Sequence, residues 1–161
     1  LPTPRYAAGA VVLDSKIYVI GGESLNAFSN AVEVYDPQTN TWATAAPMIT
    51  GRQSHGTVEL GGKIYVAGGL NTSDSRSNGG LASVEAFDPQ TNSWITVASL
   101  NTARDQLALT AAKGKLYALG GVDRDEDQVL SSVEAYDPHT DCWEAVAPMD
   151  GRRSRHAAIA M

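Results

Sequence analysis

Cysteine is nearly absent from this 161-residue chain, with Cys142 standing alone. No intrachain disulfide can therefore form, and a small core held by disulfides is excluded. A reducing, cytoplasmic compartment is the expected setting. Basic residues are also scarce: 12 Lys and Arg face 18 Asp and Glu, for a net charge of −6 and a pI near 4.9. Nucleic acid or an anionic membrane would want a basic stripe, so neither is an expected partner. No apolar run approaches the ~20 residues that span a bilayer, and no signal peptide is visible. The three histidines, His55, His139 and His156, are scattered and lack the close spacing of metal ligands. No Ser/His/Asp spacing, phosphate loop or hydrolase elbow appears either. Hence no metal, no cofactor and no catalytic residue is expected.

What the chain does have is one phrase written three times. A Lys-apolar-Tyr run ends in Gly-Gly at Lys16–Gly22, Lys63–Gly69 and Lys115–Gly121. Val-Glu-x-aromatic-Asp-Pro follows at Val32–Pro37, Val84–Pro89 and Val133–Pro138, and Trp42, Trp94 and Trp143 close the units. The first glycine of each pair advances by 47 and then 52 residues. Self-similarity at this period means repeated units that cannot bury their apolar faces alone and must pack on one another. The alternating apolar runs are short and bounded by turn residues, which argues an all-β fold. Each unit should hold four antiparallel strands. The first follows an arginine, at 7–13, 55–60 and 107–112. Two-residue turns at Asp14-Ser15, Gly61-Gly62 and Lys113-Gly114 should be of the mirror-image type that suits strand twist. Asp-Pro-x-Thr-Asn between the third and fourth strands is further turn chemistry: Asp accepts a local backbone bond, Pro fixes φ, and Asn or Asp tolerates a left-handed backbone.

Paired glycines, aromatic-Asp-Pro and a spaced Trp at a period near 50 residues resemble the kelch repeat. Pro-Met-x-x-x-Arg at Met48/Arg52 and Met149/Arg153, with Leu100/Arg104 and Leu1/Arg5 as variants, resembles more narrowly the kelch-like (BTB–kelch) proteins. The third unit departs slightly, with Asp141 in place of Asn and Cys142 before the Trp; the second has Phe87 in place of Tyr. The resemblance implies a β-propeller with three blades at about 5–47, 52–99 and 104–148 and the first strand of another at about 153–161. Three blades leave open flanks, so further kelch repeats or a second copy are expected to close the ring. Tyr35, Phe87, Tyr136 and the tryptophans should pack blade on blade. Glu33, Glu85 and Glu134 recur in step with the repeat and read as blade structure.

In kelch-like proteins the loops at one end of the central channel bind partner proteins or short peptide motifs. Here the loops after Gly-Gly, at 23–30, 70–80 and 122–131, differ while the strands stay alike, as befits a site grafted on a scaffold. They supply the candidate partner contacts Glu23, Asn26, Asn71, Arg76, Asp123, Arg124, Asp125 and Glu126. The acidic run 123–127 would favour a basic segment. Arg5, Arg52, Arg104 and Arg153 recur at one position; the resemblance implies that such arginines can grip acidic side chains at the channel mouth, and a guanidinium suits a carboxylate. The alternative for them is structural, hydrogen bonding to carbonyls of their own or the neighbouring blade. Arg152, Arg153, Arg155 and His156 form the densest basic cluster. The expected function is protein recognition, with the ubiquitin-ligase adaptor role of BTB–kelch proteins implied by resemblance alone. The alternatives are a propeller enzyme acting on a sugar or small molecule, of which copper oxidases and sialic-acid epimerases are examples, and an actin-binding structural propeller.

Overall fold

Asp14 and Ser15 both adopt positive φ, 50° and 62°, as do Gly61 and Gly62 (63° and 77°) and Lys113 and Gly114 (50° and 76°). Two consecutive left-handed residues make a type I′ turn, whose twist matches that of the strands it joins. In the computed structural model, which describes residues 1–25, 27–71 and 79–160, these turns close the inner hairpin of every unit. The first unit holds β1 (Gly9–Leu13), β2 (Lys16–Ile20), the two-residue pair β3 (Glu23–Ser24) and β4 (Ala27–Phe28), then β5 (Val32–Asp36) and β6 (Thr41–Ala45). The second holds β7 (Gly56–Leu60), β8 (Lys63–Ala67), β9 (Val84–Asp88) and β10 (Ser93–Val97). The third holds β11 (Ala108–Ala112), β12 (Lys115–Leu119), the short pair β13 (Val122–Asp123) and β14 (Gln128–Val129), then β15 (Val133–Asp137) and β16 (Cys142–Val146). No helix occurs among the described residues.

Each unit is one four-stranded antiparallel sheet in sequence order, β1-β2-β5-β6, β7-β8-β9-β10 and β11-β12-β15-β16. This is the blade architecture, and the chain is a partial propeller. The inner strands β1, β7 and β11 pack side by side. They can do so because small residues face the neighbour: a Cβ built on Gly56 would lie 2.5 Å from Leu109 Cβ, closer than packed carbons approach. The stubs 23–24/27–28 and 122–123/128–129 fold back as miniature hairpins, a detail the loop composition does not announce.

The apolar faces meet between blades. One core joins Tyr18, Ile20, Val34 and Met48 of the first unit to Ile64, Val66, Phe87 and Trp94 of the second; another joins Tyr65, Ala67 and Ala86 to Leu109, Leu116, Tyr136 and Trp143. Aromatic rings cross both seams, Tyr18 on Phe87 and Tyr65 on Tyr136, at centroid separations of 6.0 and 6.1 Å. Polar bonds run along the same seams. The indole N–H of Trp94 donates to the Ala46 carbonyl (2.8 Å) and that of Trp143 to Ala98 (2.9 Å). The turn residues Asn92 and Asp141 accept the backbone N–H of Ala46 and Ala98. Trp42, with no such carbonyl to meet, is 36% exposed against 8% and 7% for its two equivalents.

The expectation of an additional inner strand at 153–161 is not met as a strand. Residues 153–160 carry no strand assignment, and Met161 lies outside the described residues. An inner strand forms a ladder with the second strand of its own blade, and the described residues hold none for this segment. Its start is nonetheless seated as in the other repeats, with Arg155 N–H on the Gln106 carbonyl at 2.9 Å.

Candidate functional site

Three of the four repeated arginines, Arg5, Arg52 and Arg104, turn their side chains into the blade interior rather than to its surface. Arg52 and Arg104 are fully buried. Arg52 Nη1 donates to the carbonyls of Gly68 (2.8 Å) and Ser83 (2.9 Å), and its Nη2 meets Glu85 Oε1 at 2.6 Å. Arg104 repeats this on Gly120, Ser132 and Glu134, and Arg5 on Gly21, Ala31 and Glu33. Glu85 and Glu134 also accept backbone N–H groups of the incoming linker, from Ile49 and Thr50 and from Asn101 and Thr102, and Glu33 accepts the Thr3 hydroxyl. Burial pulls the Arg52 and Arg104 guanidiniums below their ordinary value, and the partner carboxylates oppose it. This corrects the expectation that Arg5, Arg52 and Arg104 face a partner: their donors are spent on carbonyls and carboxylates inside the fold. The structural alternative is the one realised, and Glu33, Glu85 and Glu134 are its anchors. Arg153 differs, since its side chain is exposed while its backbone bonds Gly121 and Leu130.

The post-glycine candidates divide as well. Glu23 and Tyr6 exchange backbone hydrogen bonds. Asn71 donates through Nδ2 to the Gly51 carbonyl at 2.6 Å. Asn26 and Arg76 lie outside the described residues. Asp123 is buried, and its Oδ1 accepts the N–H groups of Asp125 and Glu126, so it shapes the turn instead of meeting a partner. Asp125 and Glu126 are exposed at the tip of that turn. Arg124 points back to the channel and clamps Asp105 with two bonds, Nε–Oδ1 at 2.9 Å and Nη2–Oδ2 at 2.7 Å. Its hydrogen bond to Asp105 raises its affinity for the proton further.

What the structure brings together is a cleft of about 470 Å³ where the channel opens, lined by Tyr6, Ala7, Gln53, Ser54, Leu70, Asp105, Gln106, Arg124 and Arg155. Most of these are the two residues following each linker arginine. The first of the pair makes a backbone bridge to the post-glycine stub of its blade, as Tyr6 to Glu23, Gln53 to Leu70 and Asp105 to Val122. The second is held by a relay from blade to blade: Ser54 N–H donates to the Ala7 carbonyl, Gln106 to Ser54 and Arg155 to Gln106, at 2.7–2.9 Å. Of these residues sequence reasoning had singled out only Arg124 and Arg155. The signal lay in their place beside a repeated arginine, but their identities vary too much to read as a motif. Among the described residues no cluster of His, Cys, Asp and Glu could hold a metal ion. The arrangement offers amides, hydroxyls and guanidiniums to a polar ligand, with no nucleophile paired to a base.

Just beneath the mouth, His55 is buried with both ring nitrogens unpartnered by hydrogen-bond geometry. Burial, aided by the charge of Arg52, pulls its pKa down to about 3, so the folded protein holds it neutral.

The profile of the KLHDC2/KLHL20/DRC7 Kelch-repeats domain matches residues 1–161. Among curated relatives, Kelch-like protein 25 of Homo sapiens is 37% identical over 134 residues, covering 80% of this chain and 23% of that protein. Kelch-like protein 13 of Mus musculus is 42% identical over 93 residues, covering 58% of this chain and 14% of its own length. The chain thus spans under a quarter of the relatives it matches. A solved structure of YjhT superposes with a TM-score of 0.77 at 23% identity, covering 94% of this chain and 54% of that one; at that identity the likeness concerns the fold.

Proposed function

Because this chain belongs to the kelch-repeat family and is a kelch domain like those of kelch-like proteins, we propose that it is a non-catalytic recognition module that captures a segment of a partner protein at the channel mouth. The observation that carries this is the contrast within the linkers. The arginine is the same in every repeat and, at Arg5, Arg52 and Arg104, enclosed within the fold, whereas the next two positions differ in every repeat and supply most of the cleft's lining. A rigid backbone presenting changed side chains is what a recognition surface needs. The cleft is open and mixes polar with apolar lining, suited to an exposed loop or short peptide rather than to an enclosed small substrate. In the whole protein, a BTB domain would link the module to a cullin-based ubiquitin ligase; that step belongs to residues other than these. The free, exposed Cys142 supports a reducing, cytoplasmic setting.

The test is an array of random dodecapeptides probed with the purified chain and with Gln53→Trp, which plugs the cleft. Binding by the parent and at least a tenfold loss in the variant is the expected result. Equal binding by a folded Gln53→Trp protein would move the docking surface elsewhere.

A further inference from the structure

We propose that the outer edge of the second blade, β10, is a self-pairing surface: two copies of this chain join their β10 strands antiparallel about Ile95, so that two blades run on as one sheet. The proposal concerns the outer wall and stands apart from the docking function at the mouth.

The first observation is an open edge. β10 pairs with β9 on one side only, from Ser93 opposite Asp88 to Val97 opposite Val84. The backbone groups on its far side meet no strand among the described residues. Such a row of N–H and C=O groups is a template for another strand, and folded proteins blunt it with charge or proline.

The second observation is that, of the three outer strands, β10 alone lacks both guards. One residue past the repeated Trp stand Ala43, Ile95 and Glu144; five residues past it stand Pro47, Ser99 and Pro148. The edge of β16 thus has a charge and a proline just beyond it, and that of β6 has the proline. β10 has neither. From Gln90 to Ala103 the chain holds no charged residue, no proline and no glycine. Ile95, Thr96 and Val97 are three β-branched residues in a row, where β6 has Ala43-Thr44-Ala45 and β16 has Glu144-Ala145-Val146. An uncharged, proline-free run of strong strand formers favours strand-to-strand association. It is also accessible: Trp94 turns into the seam, while Ser93, Ile95 and Thr96 are exposed, Ile95 at 55%.

The composition selects the occupant. Antiparallel pairing about a two-fold axis sets Ile95 opposite the partner's Ile95, Trp94 opposite the partner's Thr96 and Ser93 opposite the partner's Val97. None of these pairs opposes like charges, the obstacle that a strand such as β16 meets on its own copy. At the centre, two exposed isoleucine side chains cover each other. A contact of this kind uses the same patch on both copies and closes on itself, giving a dimer and no fibre. One pair of five-residue strands falls short of the ~1,200 Å² of a stable interface, so the dimer is weak and reversible.

Sedimentation of the purified chain from about 10 μM to about 1 mM, the range of weak complexes, decides the matter. It is repeated with Ile95→Lys, which puts a charge on the two-fold axis, and with Ala43→Lys, the same change at the equivalent place in β6. Both native side chains are exposed, and folding is checked by circular dichroism. The parent should dimerise, Ile95→Lys should weaken association at least tenfold, and Ala43→Lys should stay within twofold. A second measurement separates this contact from association through the open blade flanks. In a Cys142→Ser background, Ile95→Cys should cross-link between copies on mild oxidation at least tenfold faster than Ala43→Cys. Facing Cα atoms of an antiparallel pair lie about 4.5–5.5 Å apart, within disulfide reach. A parent that stays monomeric throughout, an Ile95→Lys protein that associates within twofold of the parent, or equal cross-linking at positions 95 and 43 would each overturn the proposal. A monomeric parent that takes up uncharged extended peptides, and loses them on Ile95→Lys, would give the edge to another protein's strand and overturn self-pairing as well.

Discussion

Arg104 and Gln106 are two residues apart in one linker and have opposite lives. Arg104 is sealed inside the blade, with five side-chain contacts to Thr102, Gly120, Ser132 and Glu134. Gln106 stands at the rim on a strained backbone with a neighbour that can be lost. The same pairing holds for Arg52 and Ser54, and for Arg5 and Ala7. The lesson is that repetition marks what holds the fold, while the change from repeat to repeat marks what meets the outside.

The sharpest way to break this comparison is to cut the clamp. Arg104→Ala leaves Glu134 buried and unpaired, for a loss of about 3–5 kcal/mol in urea unfolding. The double change Arg104→Met, Glu134→Leu should recover most of it; a double variant as weak as the single one would show that the clamp acts through more than charge. The tryptophans give the next test. Trp94→Ala should cost about 3–4 kcal/mol and Trp42→Ala about 1 kcal/mol, because only the former is buried and bonded across a seam. Equal losses would contradict the seam geometry.

His55 sharpens the comparison through pH. The unfolded chain takes up a proton on this imidazole below about 6.5, whereas the fold refuses it until about 3. Stability contributed by the neutral form is therefore full above pH 6.5 and is lost as pH falls toward 3, by about 2 kcal/mol between pH 7 and 5. The third blade has Leu107 at this place. His55→Leu should remove that slope, and a slope unchanged in the variant would assign it to other groups. The smallest effect belongs to the rim. Gln106→Gly trades relief of the left-handed backbone against a floppier unfolded chain, so thermal unfolding should place it within about 0.5 kcal/mol of the parent.

Much of the architecture was legible in the sequence because each strand carries its own punctuation. Gly61-Gly62 and Lys113-Gly114 announce left-handed turns, and Asn92 and Asp141 do adopt positive φ after Asp-Pro. The roles of Glu85 and Glu134 followed from their recurrence. The arginines were harder. A guanidinium on a linker suggests a surface, and nothing local reveals that Gly68, Ser83 and Glu85 converge on it from 16, 31 and 33 residues away. The mouth was harder still, since Ala7, Ser54, Gln106 and Arg155 share a backbone angle and not a residue type. Asp123 misled for a related reason: an acid in an acidic run looks solvated, while its carboxylate is folded back onto the N–H groups of Asp125 and Glu126.

The indole-to-carbonyl bonds at the two seams have a direction: Trp94 reaches back to the first blade and Trp143 back to the second. Like shingles, the units overlap one way round. A unit of this kind can be duplicated or excised whole and the newly adjoining pair will find the same handhold, because donor and acceptor occupy fixed places in every unit. Gene-level changes in the number of units are thereby made mechanically tolerable, and what they alter is the curvature of the assembly and the set of side chains gathered at its opening.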